Sequence, residues 1–218
     1  MRAGDTAVHS RSKTEFDSNV FINCPFDEDY YPLLRPLLFT IIYLGFTPRI
    51  ALERSDSGEN RVDKISELLA HSRYSIHDLS RLQARRAKEL YRMNMPFELG
   101  IDYGARRFGS LQMRSKRFLI LERERYDFMK ALSDLSGVDI KSHKNEPDGV
   151  VRAVRDWFVE TVRLRRVDSS TSIWYQFTDF TSDFYHARLA DGFDDKDLNM
   201  MPVPEYMDFM QEWIASRR

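Results

Sequence analysis

The sequence predicts an α/β domain built on a parallel sheet of about five strands and extended by a C-terminal helical hairpin. Short apolar runs rich in β-branched residues alternate with segments of helical periodicity. Those runs lack the apolar/polar alternation of a half-solvated strand, which suits a sheet buried on both faces. From about residue 168 onward the strands stop and only helical stripes remain.

Residues 1–18 are polar and aperiodic and read as a flexible leader. The run 19–24, "NVFINC", is the first strand and stops at Pro25. Residues 29–45 form a leucine-rich helix, with Pro32 in its first turn, Pro36 as an interior kink and Gly45 as its C-terminal cap. The second strand is 46–53, and "RSDSGEN", 54–60, is a loop by composition. Val62, Ile65, Leu68 and Leu69 put a helix over 61–72, and Tyr74 to Asp78 is the third strand. The charged stretch 81–92 has good helix formers but no apolar stripe, and reads as an exposed connection or insertion.

A helix over about 95–108 carries one apolar stripe of Phe97, Ile101, Ala105 and Phe108. Gly100 and Gly104 beside it would let that helix approach the sheet closely. Residues 116–122 and 137–143 are the fourth and fifth strands. Between 148 and 162, Val150, Val154 and Trp157 share the inner face of another helix. Beyond 168, Ile173, Phe177, Phe180 and Phe184 line one helix, and Tyr206, Phe209, Met210 and Trp213 a second. Those stripes fit docking on the sheet domain, on a second copy of the chain in a homo-oligomer, or on a partner protein.

Composition narrows the function classes. Lys+Arg 33 against Asp+Glu 34 leaves a net charge of −1, so no global field recruits nucleic acid, although a local basic patch is compatible. The single cysteine, Cys24, excludes an internal disulfide and a four-cysteine zinc site. The five histidines show no metal-ligand spacing, and no metal or resident cofactor is expected. Nothing resembles a signal peptide or a membrane span, and the reading is a cytoplasmic protein without membrane contact.

Ligands of open parallel sheets bind outside the carboxyl ends of the strands. There the first strand supplies Asn23, Phe26 and Asp27, the second leads to Arg61, and the third supplies His77 and Asp78. The following helix opens with Asn94 and Glu98. Glu98 is either an ordinary helix-start carboxylate near a cap at Asn94 or a group that works on a substrate. Asp78 is a ligand group or a cap, His77 a buried histidine or a catalytic one, and Cys24 a small hydrophobe or a nucleophile.

The stretches "VFINCPFDEDYYPLL", "SIHDLS" and "NMPFELGIDYGARR" resemble the Toll/interleukin-1 receptor (TIR) fold and its relatives, the nucleoside 2-deoxyribosyltransferases, over about residues 19–165. The specific match is Glu98-Leu99-Gly100 in the helix after the third strand. The resemblance implies a flavodoxin-like domain and an N-glycosidic reaction on a nucleotide such as NAD, in bacterial antiviral defence. It implies Glu98 as nucleophile or stabiliser of an oxocarbenium-like transition state. By their positions Asp78 or Asn94 would hold base or ribose, Phe26 and Tyr30 would stack on a base, Arg49 or Arg61 would neutralise phosphate, and Asn23 and Asp27 would join them in binding the substrate. Met95, Pro96 and Phe97 stand where enzymatic TIR domains usually show a Trp-Cys pair. TIR-type domains also serve as adaptors, so a non-catalytic nucleotide-sensing or interaction module, or the effector subunit of a two-component defence system, is the alternative.

Overall fold

A computed structural model describes residues 14–82 and 93–218. The expected connection over 81–92 therefore lies, from 83 on, outside the described residues. Five strands form one parallel sheet: β1 (Asn19–Asn23), β2 (Thr47–Ile50), β3 (Tyr74–Asp78), β4 (Arg117–Glu122) and β5 (Lys141–Ser142). Their order is β2-β1-β3-β4-β5. The strand order reverses direction between β1 and β3, which opens a crevice at their carboxyl ends.

The expected leader does not extend to residue 18. Residues Glu15–Ser18 form helix α1, capped by the Thr14 hydroxyl, and Phe16 is buried. Arg73 fastens this turn to the body by pairing with Asp17 at 2.7 Å.

Helix α2 (Tyr31–Tyr43) ends as its sequence dictates: Gly45 takes φ +81°, and the amides of Gly45 and Phe46 bond back to Ile42 and Ile41. Pro36 sits buried inside α2, where its carbonyl accepts the Thr40 hydroxyl at 2.7 Å. This helix is apolar on nearly every side because it is covered on both. Val20 and Ile22 of the sheet and helix α6 (Pro147–Glu160) lie on one side, and helices α7 (Ser170–Ala190) and α9 (Val203–Ala215) on the other. Phe39 at its centre stacks on Phe180 at 5.6 Å and meets Phe177 and Trp213. The stripe Ile173, Phe177, Phe180 and Phe184 is buried in this way. A six-residue helix α8 (Asp195–Met200), closed by a capping box at Asp194 and Asp197, joins α7 to α9. One continuous apolar cluster runs from β1 to Ile214.

The opposite face carries α3 (Arg61–Ala70) and α4 (Asn94–Phe108), followed by the short α5 (Leu111–Arg114). Here the sequence-based expectation fails in an informative way. Phe97 is 57% exposed and Phe108 81% exposed, whereas Met95, Glu98, Leu99 and Asp102 face inward. A Cβ built on Gly100 or Gly104 meets nothing within 4 Å, so neither glycine serves a close approach to the sheet. Two buried carboxylates in place of two phenylalanines require compensation from the sheet. No helix among the described residues is long and apolar enough to cross a membrane.

Candidate functional site

Under the middle of α4 lies a chain of buried polar groups. Asn23 Nδ2 donates to the Met95 carbonyl at 2.9 Å and to His77 Nδ1 at 3.0 Å. Because the amide nitrogen can only donate, His77 Nδ1 is an acceptor and its proton resides on Nε2. That nitrogen donates to Asp102 Oδ2 at 3.1 Å. The other Asp102 oxygen is 3.2 Å from Lys116 Nζ, and Lys116 also donates to the carbonyls of Leu69 and Ser72. Burial pushes the Asp102 carboxyl up, but the His77 hydrogen bond and the Lys116 charge outweigh it and hold it below the ordinary aspartate range. Asn23 is thus consumed in tying β1 to β3 and to the start of α4, and does not face a substrate.

A second network closes the carboxyl end of β3. Asp78, fully buried, accepts the Tyr30 hydroxyl, the Ser80 amide at 2.8 Å and His143 Nε2 at 3.1 Å. Burial raises its carboxyl and these hydrogen bonds more than reverse the rise, so it too is held low. Ser80 Oγ lies 2.9 Å from the same His143 Nε2, which places Ser, His and Asp together. They cannot act as a nucleophilic triad. The Asn145 amide donates to His143 Nδ1 at 3.0 Å, so the proton sits on Nε2 and that nitrogen cannot take one from Ser80. Asp78 is therefore a cap and a tether rather than a ligand group, and Tyr30, 2% exposed, is its partner rather than a stacking platform. Sequence reading missed His143, although its place at the end of the fifth strand put it on the same rim.

Glu98 differs from both networks. It lies one turn before Asp102 on the same face of α4 and is only 4% exposed. Among the described residues its carboxylate has no hydrogen-bond partner. Nor is it a cap, since the helix starts at Asn94 with Met93 at the N-cap and no side-chain capping bond. Burial pushes its carboxyl up to about 7, against the pull of the Arg61 guanidinium. Arg61, exposed at the first position of α3 behind the Asn60 cap, forms no ion pair among the described residues. The charges of Asp78, Glu98 and Asp27 all bear on the Cys24 thiol, which places these groups around the β1 end. Burial first, and then those charges, raise the thiol far above its ordinary value, so Cys24 is an inert hydrophobe.

The remaining expected residues line the surroundings unequally. Phe26 is half-buried and packs against apolar clusters on both faces of the sheet. Asp27 accepts Arg81 at 2.6 Å, a pairing not anticipated from sequence. Asn94 is exposed at the first turn of α4. Arg49 is engaged with Glu53 at 2.7 Å and Glu15 at 3.5 Å, which removes it as a phosphate ligand. The Arg61 charge thus bears on Glu98, whereas Asn23, Asp78 and Tyr30 are engaged in buried networks. No protein-family model, curated protein or solved structure matches the chain.

Proposed function

We propose that the chain is a nucleotide N-glycosidase of the TIR or deoxyribosyltransferase type, hydrolysing NAD or forming a signal nucleotide in bacterial antiviral defence. The carrying observation is Glu98: a buried carboxyl without a partner, near neutrality in its titration, with an uncommitted arginine close enough to oppose that shift. An unpaired buried carboxylate is costly, and a perturbed carboxyl near a crevice marks a candidate functional group. The 2-1-3-4-5 strand order supports a flavodoxin-like domain, and the helices after residue 170 act as a hairpin that braces α2.

On this reading the glycosidic carbon sits against Glu98. As the bond to the base breaks, the sugar gains oxocarbenium character, and the ionised carboxylate stabilises it or adds to it. A carboxyl titrating near 7 also exchanges a proton readily at neutral pH. Arg61 holds a substrate phosphate, and Phe26 offers its exposed part to the base.

The test is chromatography of NAD, ATP and deoxynucleosides incubated with concentrated protein. Release of a free base by wild type, reduced roughly a hundredfold or more in Glu98→Gln, is the expected result. Absence of turnover, together with no shift in melting temperature on adding nucleotides, refutes it. The alternative is then a non-catalytic interaction module or effector subunit, a reading favoured by the exposed apolar side chains Phe97, Phe108 and Leu111 along α4 and α5.

A further inference from the structure

Strand β4 is covered on one side along its whole length but on the other only at its end. β3 pairs with it from Arg117 to Leu121, whereas β5 pairs only with Leu121 and Glu122. The uncovered length opens into a cavity of about 910 Å³ between β4, the second half of α4 and residues 138–141. Its wall carries Arg106, Arg107, Arg114, Arg117 and Arg125, all exposed.

None of these five arginines forms an ion pair with a carboxylate among the described residues. Other arginines of the described surface, among them Arg49, Arg54, Arg73 and Arg81, each hold an acid. Only Asp139 and Glu160 bring negative charge to the cavity, and Glu160 is bound to Lys141 at 2.8 Å. A chain with a net charge of −1 thus concentrates positive charge in one concave place. Aromatic rings alternate with the guanidinium groups: Tyr103 is 44% exposed, and Arg106 lies 5.4 Å above the half-buried Phe118. A second cavity of about 430 Å³ shares Arg125, Ile140 and Lys141 with the first, but Glu146, Asp148 and Asp156 offset its Lys144 and Arg152, so the positive stretch of the trough ends near β5.

We infer that this trough binds single-stranded nucleic acid, independently of the crevice at Glu98. Unpaired arginines neutralise successive phosphates, and rings beside them stack on splayed bases. An acidic peptide would satisfy the charges but not the rings, and a single nucleotide would occupy only part of the length.

Fluorescence anisotropy of a labelled single-stranded oligonucleotide of about twelve residues, titrated with protein at about 50 mM salt, tests the inference. Wild type should bind, with affinity falling steeply as salt rises. Arg106→Ala/Arg107→Ala/Arg114→Ala should weaken binding by roughly tenfold or more and reduce the log–log salt slope by about two. Tyr103→Ala should weaken binding by roughly fivefold with the slope unchanged, because stacking releases no counterions. The single exposed change Arg107→Glu repeats the charge test if the triple variant does not fold. The inference fails if wild type shows no saturable binding, if the arginine variants bind as wild type does, or if a poly-glutamate peptide competes as well as unlabelled oligonucleotide. Base release is read in a separate assay, so this inference and the glycosidase reading stand or fall apart.

Discussion

The two faces of the sheet are built on opposite rules. Against the α2 face the core is apolar up to the strand ends, where Asp78 is held by Tyr30 and His143, and Phe39, Phe180, Phe184 and Tyr206 interlock ring on ring. Against the α4 face the buried set includes His77, Glu98, Asp102 and Lys116. Asp102 and Glu98, four residues apart on that face, titrate in opposite directions because one has His77 and Lys116 and the other has only the charge of Arg61 to oppose its burial. The dry face holds the protein together, while burying Glu98 on the polar face costs part of that stability.

The contrast can be broken most forcefully at its two anchors. Phe180→Ala should cost about 3–5 kcal/mol in urea unfolding, with a loss nearly independent of pH, since only packing is removed. Lys116→Ala should cost a similar 3–5 kcal/mol by stranding Asp102, and Lys116→Met/Asp102→Leu should cost less than that single change. If the double variant is the worse of the two, the buried pair is a net stabiliser and the comparison between the faces is wrong. Tyr30→Phe should cost about 1.5–3 kcal/mol, the value of a hydrogen bond to a charged acceptor, and should loosen Asp78 without abolishing base release.

The sharpest test is the smallest in energy. Glu98 has its folded-state carboxyl raised from 4.5 to about 7, so the folded state binds the proton more tightly than the unfolded chain. Its contribution is intact below about pH 4.5 and is lost as pH rises towards 7. Glu98→Gln should therefore stabilise the protein by about 1–3 kcal/mol at pH 8 and change little at pH 4. Thermal melts at the two pH values measure the difference, and equal effects at both would mean that Glu98 is not buried as an unpaired acid.

Much of the fold was legible because its signals are local. Tyr74 to Asp78 is a strand where the apolar run places it, and the stripe from Ile173 to Phe184 is buried as its spacing requires. The second and fifth strands proved shorter than their apolar runs, since pairing partners and not composition set where a ladder ends. The candidate site was legible as residues at the strand ends, but the partners that engage Asn23, Asp27 and Asp78 were not.

By itself the sequence determined the order of strands and helices, the cap at Gly45 and the apolar faces of α6, α7 and α9, all of which depend on residues within a few turns of each other. Only the tertiary structure decided which face of α4 turns inward. Its phenylalanines mark the wrong face, and the right one is tolerable only because His77 and Lys116 arrive from β3 and the edge of β4 to meet Asp102. Likewise Asp78 is a tether and not a ligand because His143, 65 residues away along the chain, closes on it. Burying a charge depends on partners brought together by folding, and no local pattern in the chain announces them.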